Sequence, residues 1–150
     1  RATLFPARRR SRSDGPGGPV SPAGIDEADG APRSYIINAW NDWFGTSMSD
    51  LPPNSAIRDT DVRYPAETII FGEKKSKSFH YYMDIFQGVN GNDYDELEQA
   101  RHGGIGSNYA FVDGSVRLYR LWRAVGPSVN LWAVTEGARS TYAFSFSSAP

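Results

Sequence analysis

Arg101 to Trp122 reads RHGGIGSNYAFVDGSVRLYRLW, and the fold turns on how the middle of this stretch is paired. Asp113-Gly114 stands between two alternating runs. Asp-Gly is a strong hairpin signal, because a type I′ turn holds both central residues at positive φ, which glycine adopts freely and aspartate tolerates. With these two residues as the loop, Val112 faces Ser115, Phe111 faces Val116, Ala110 faces Arg117 and Tyr109 faces Leu118. One face of the expected hairpin then carries Tyr109, Phe111, Val116 and Leu118 as its structural core. The other carries Asn108, Ala110, Ser115, Arg117 and Tyr119 towards water, the division expected of an antiparallel pair with one solvated face. A slip of one residue would expose the apolar set.

Working back from the hairpin, Ile69-Ile70-Phe71 is a short continuous apolar run between the Pro65 to Thr68 turn and Gly72. It suits a central strand covered on both faces. Ser34 to Trp40 (SYIINAW) is a second strand, stopped at Asn41-Asp42. Glu73 to Ser78 (EKKSKS) reads as a solvated charged turn, and Phe79 to Phe86 as a strand or a short helix. His80, with no other ligand type at metal spacing beside it, reads as a packing residue. The acidic stretch Gly88 to Glu98 offers Asp93 and Asp95 as calcium candidates. Its spacing misses the EF-hand loop, and a helical turn with Asp93 as N-cap and Glu96 three residues on accounts for the acids without metal.

Working forward, Gly126-Pro127-Ser128 breaks the chain and Asn130-Leu131-Trp132 folds back as a lid on the sheet. Thr141 to Ser147 alternates, as an edge strand or a tail. The expected fold is α+β and mainly β: a small antiparallel sheet with a C-terminal Asp-Gly β-hairpin, at most short helices, and long irregular loops. The expected division is residues 1–32 as an Arg/Pro/Gly-rich disordered segment, 33–136 as the globular domain, and 137–150 as tail or edge strand.

The totals fit one domain of 150 residues. Without cysteine there are no disulfides and no Cys-based metal sites, and two histidines leave little for transition metals. A net charge of −1 names no global electrostatic partner, and nucleic acid is not expected. No run has the apolar length of a bilayer span, so the chain as written reads as soluble. It also starts at Arg1 without Met, as a fragment would.

Arg101-His102-Gly103, the run Asn108 to Gly114 (NYAFVDG) and Asn130-Leu131-Trp132 together resemble the prepilin-associated H-X9-DG domain. Further matches are Ser34 to Asp42, Pro65 to Glu73 and Asn92 to His102, so the resemblance covers roughly Ser34 to Glu136. Its motif residues are His102, Asp113 and Gly114, although ten residues rather than nine separate His102 from Asp113, the extra one falling in the Gly103 to Gly106 loop. The resemblance implies the globular head of a pseudopilin-like protein of a type II secretion or type IV pilus-like fibre. It further implies a structural subunit outside the cytoplasm of a Gram-negative bacterium, with other pseudopilin-like subunits and the secretion machinery as partners. The membrane would be met only through an N-terminal helix absent from this sequence.

An enzyme built here would use His102 with Asp113 and Ser107 or Ser115. Asp113 is already committed to the turn, and no nucleophile elbow or phosphate loop appears, so no catalytic residue and no cofactor is expected. The alternative to the fibre head is a carbohydrate- or surface-binding module that stacks its ligand on Trp40, Trp43 or Trp122.

Overall fold

The computed structural model describes residues 34–86 and 94–144. The segment 1–32, expected to be disordered, and Asp93 lie outside the described residues. Five strands form one sheet: β1 (Tyr35–Asn38), β2 (Ile69–Glu73), β3 (Tyr82–Met83), β4 (Ser107–Phe111) and β5 (Val116–Tyr119), in the order β3-β1-β2-β4-β5. The described helices are α1 (Asn41–Phe44), α2 (Glu136–Thr141) and a few 3-10 turns, so the fold is the expected mainly-β α+β class. None of them is long and apolar enough to cross a membrane.

The sheet is mixed rather than purely antiparallel. The chain leaves β2, passes β1 and returns on its far side, so β3 runs parallel to β1, with Ile37 opposite Tyr82. The Phe79 to Phe86 stretch therefore contributes only two paired residues. β2 is central, as its apolar run suggests, and Ile69 is wholly buried. Phe71 points to the opposite face and is 38% exposed, so that run is not covered on both sides.

The hairpin forms where expected with a different loop. Phe111 N–H donates to Ser115 O at 2.9 Å and Gly114 N–H to Phe111 O at 2.9 Å, which makes Val112-Asp113-Gly114 a three-residue loop. Gly114 has φ 84° and Asp113 is not at positive φ, the pattern of a type I turn closed by a left-handed glycine rather than of type I′. Asp113 gains by this: its Oδ1 accepts from Ser115 N–H (2.9 Å) and Oγ–H (2.6 Å). Val112 N–H and Asp113 N–H donate to Thr68 O and Pro65 O, which pins the loop against the turn before β2.

One extra loop residue moves the register by one: Ala110 opposes Val116, Tyr109 opposes Arg117 and Ser107 opposes Tyr119. β4 keeps its expected inward face, with Tyr109 and Phe111 each 1% exposed. On β5 the faces are inverted, and Val116 and Leu118, expected in the hairpin core, are 66% and 49% exposed. Tyr119 takes their place, its ring 5.5 Å from Phe111 and 6.1 Å from Tyr109, and the Arg117 guanidinium lies 4.3 Å over the Phe111 ring. Aromatic and cation–π contacts supply the inward face that two aliphatics would have supplied.

The core lies between the inward face (Ile36, Ile69, Tyr109, Phe111) and the returning C-terminal chain. The lid expected at Asn130-Leu131-Trp132 is present: Leu131 O accepts from Ile69 N–H at 2.8 Å, and Trp132 is fully buried. Trp132 fits only because position 72 is glycine, where a Cβ would come within 2.7 Å of Trp132 Cζ2. The domain does not end at 136. Thr135 Oγ accepts from Ala138 N–H to cap α2, Ala138 and Arg139 are buried, and Arg139 Nη2 reaches Glu67 Oε2 at 3.0 Å. The residues read as tail or edge strand are thus a packed helix as far as Thr141, and Phe144 N–H still bonds Gly126 O.

The corrected register predicts that Phe111→Ala costs about 3–5 kcal/mol while Leu118→Ser stays within about 0.5 kcal/mol. Arg117→Ala should fall between them at about 1 kcal/mol, for its stacking on Phe111. Urea denaturation of the three variants checks the order; a Leu118→Ser cost close to that of Phe111→Ala would restore the two-residue loop.

Candidate functional site

Of the motif residues, His102 lies against Glu73, the last residue of β2, and Asp113 and Gly114 lie apart from it in the β4–β5 loop. Alternation along β2 puts Glu73 on the same outward side as Phe71, yet its side chain is only 4% exposed, because the chain around residues 101–108 folds over it. Two left-handed glycines, Gly103 (φ 64°) and Gly104 (φ 77°), let that loop reverse, and His102 N–H closes it on Gly106 O at 3.0 Å. Gly106 has no alternative, since a Cβ there would stand 2.2 Å from Tyr119 O.

Two hydrogen-bonding groups and one ion-pair partner converge on the Glu73 carboxylate. Asn108 N–H donates to Oε2 at 2.7 Å, His102 Nε2 lies 3.1 Å from both oxygens, and Arg101 Nε is 3.7 Å from Oε1. A carboxylate only accepts, so the hydrogen bond to Glu73 uses the tautomer of His102 with hydrogen on Nε2. Asn108 Nδ2 sits 2.8 Å from the same ring nitrogen, so the His102 ring lies between the Glu73 carboxylate and the Asn108 amide. Arg101 also donates through Nη2 to Lys74 O, and its backbone N–H goes to Ser107 Oγ. Glu73 and Lys74 are 3% and 2% exposed, so the stretch read as a solvated charged turn begins as a buried polar knot. Lys74 Nζ is spent on Ser78 O and His80 O.

His102 and Asp113 do not act on each other: His102 is held by Glu73 and Asn108, and Asp113 by Ser115 and Arg117. Ser107 is wholly buried and Ser115 bonds Asp113, so neither is set beside His102 as a nucleophile. The Ser115 hydroxyl and amide hold the Asp113 carboxyl below the usual carboxylate range, helped by the Arg117 charge. Burial, with Glu73 and Glu98 nearby, pushes the Tyr109 phenol well above its ordinary value.

The tryptophans expected to stack a ligand do not share one platform. Trp40 is 5% exposed, packed with Ile57, Val62 and Val134, which removes it as a stacking surface. Its φ of 59° turns the chain out of β1 into α1, where Trp43 is 42% exposed. Trp122 is half-buried at φ 67°, its ring 5.4 Å from Tyr94 and 4.6 Å from Phe144. It borders a shallow cleft of about 250 Å³ with Asp95, Glu98 and Gln99. Asp95 sits exposed on the 3-10 turn Tyr94–Glu96, and among the described residues no three His, Asp or Glu come together as a metal site.

Glu73 went unseen as a partner because burial at a strand end depends on which loop covers it. The one available hint was an acid one glycine after the apolar run, with Arg-His arriving later in the chain.

Glu73→Ala should cost about 2–3 kcal/mol by orphaning the Asn108 N–H and removing the charge that faces Arg101, whereas Glu73→Gln should recover much of that loss. His102→Ala, at a side chain 46% exposed, should cost less than about 1 kcal/mol. Chemical denaturation of the set checks the ranking. For Asp113, a depressed folded pKa means its contribution is present above the unfolded carboxylate pKa of about 3.9 and lost as pH falls through the folded value. Asp113→Asn should therefore flatten the acid limb of a stability-against-pH curve and leave the alkaline limb unchanged.

Compared with family models, curated proteins and solved structures, the chain matches none of them.

Proposed function

We propose that this chain is the non-catalytic globular head of a pseudopilin-like subunit of a secretion or pilus-like fibre. One observation supports the reading most: the residues of its H-X9-DG-like motif are consumed in holding the sheet together. His102 clamps the end of β2 to β4 through Glu73 and Asn108, and Asp113 with Gly114 closes the β4–β5 loop onto the turn before β2. A subunit that presents a rigid surface needs such residues for shape and no reactive group. The role is extracytoplasmic, with other pseudopilin-like subunits and the secretion machinery as partners, and with no cofactor.

Sequencing the reading frame upstream of Arg1 tests this. The expected result is a prepilin leader, then Phe-Thr-Leu-Ile-Glu and about twenty apolar residues, the length a bilayer span requires. An upstream catalytic domain, or a start codon with no apolar helix after it, would sink the proposal.

The carbohydrate-binding alternative retains Trp43 and Trp122, so oligosaccharide titration followed by tryptophan fluorescence separates the two readings. The fibre-head reading expects no saturable quenching. It also expects chelation to leave Tm within about 1 °C; ligand linkage makes a calcium-restored drop of several degrees the mark of a bound ion.

A further inference from the structure

β5 is the last strand in the sheet order, and its pairing phase determines which backbone groups it leaves over. Phe111 and Ser115 form a bonded pair, so bonded pairs recur at Tyr109–Arg117 and Ser107–Tyr119. Val116 and Leu118 therefore turn their N–H and C=O groups away from β4, and among the described residues none of these groups has a backbone partner. The side chains of the same two residues are the exposed aliphatics of the hairpin, at 66% and 49%. An edge with free backbone groups and bare apolar side chains is a template for another strand, and proteins commonly guard such an edge with lysine, proline or a bulge. β5, Val-Arg-Leu-Tyr, has no lysine or proline, and Arg117 is turned inwards onto Phe111 and Ala66 O.

Charge selects the partner. Arg120 and Arg123 follow directly, both exposed and without an ion-pair partner among the described residues, and Leu121 between them is 51% exposed. The strip from Val116 to Arg123 contains no acid. We propose that the free edge of β5 accepts an extended polypeptide segment of alternating acidic and apolar residues as a sixth strand. Main-chain bonds to Val116 and Leu118 supply the affinity, apolar side chains of the incoming strand cover these two residues, and its acids meet Arg120 and Arg123. The inference does not depend on the fibre-head reading.

The test uses a fluorescein-labelled eight-residue peptide alternating Glu and Val, titrated by anisotropy with the whole 150-residue chain. The expected result is saturable binding that weakens about tenfold or more when alternate peptide nitrogens on the pairing edge are methylated, since tenfold corresponds to about 1.4 kcal/mol, one or two net hydrogen bonds. Arg120→Glu with Arg123→Glu should weaken it by a similar factor, and Val116→Lys with Leu118→Lys should abolish it. All four positions are exposed, and circular dichroism confirms that the variants fold. Absence of binding, equal binding of the methylated peptide, or indifference to the arginine changes would each overturn the proposal. So would a dimer in sedimentation without peptide that the lysine variant dissolves, because the edge would then belong to a second copy.

Discussion

The Asn38 side chain holds the two halves of the molecule together. Its amide nitrogen donates to Ile69 O and to Trp132 O, each at 2.7 Å, and its oxygen accepts from Trp40 N–H at 2.8 Å. The need for it arises in β2, where the register shifts between Ile69 and Phe71 and a bulge interrupts the ladder. A buried carbonyl without a donor costs about 1–3 kcal/mol, and Asn38 covers the one at Ile69 while fastening the strap that carries Trp132. Asp42 repeats the device a few residues on, accepting from Val134 N–H and Thr135 N–H at 2.8 and 2.6 Å. The strap is thus held to β1 and α1 by polar side chains, and only then does Trp132 fill the space that Gly72 leaves open.

What could be read from the sequence follows from what is local. The class, the central place of Ile69 to Phe71, β1 and the lid at Asn130 to Trp132 all rest on short-range pattern, and the structure has them. The hairpin shows the boundary of that method. Asp-Gly marks a turn reliably, but two-residue and three-residue loops both accommodate it, and the choice was made by contacts from outside the hairpin, at Pro65 O and Thr68 O. One residue of loop then inverted β5, because a strand has period two and an odd shift changes its face. Arg117 and Tyr119 could go inwards only because their flat groups stack on Phe111, which alternation of apolar and polar letters does not encode.

The same reasoning explains the mixed outcome at the site. His102 does bond across to the hairpin, and the paired left-handed glycines reverse the loop that carries it. Its principal partner, Glu73, lies 29 residues earlier and looked like the start of a solvated turn. Burial of a charged side chain is a property of the assembled surface, so Glu73, Lys74 and Arg139 all escaped a reading based on composition. Trp40 failed in the other direction: an aromatic at a strand end resembles a ligand platform until Ile57, Val62 and Val134 are seen to enclose it.

The span of the Asn38 to Trp132 bond, 94 residues, has a consequence for the order in which the domain can form. During synthesis the N-terminal elements emerge first, and β1 and β2 would be able to meet long before the strap exists. Until Trp132 and α2 leave the ribosome, however, Gly72 faces an empty slot, and the Asn38 side-chain amide and the Ile69 N–H lack the acceptors that Trp132 O and Leu131 O supply. A sheet dominated by such non-local closures folds late and slowly compared with one built of neighbouring hairpins. The nascent chain is therefore committed to its native topology only once the segment 130–141 has emerged, and the strand edges exposed in the interval need protection from other chains.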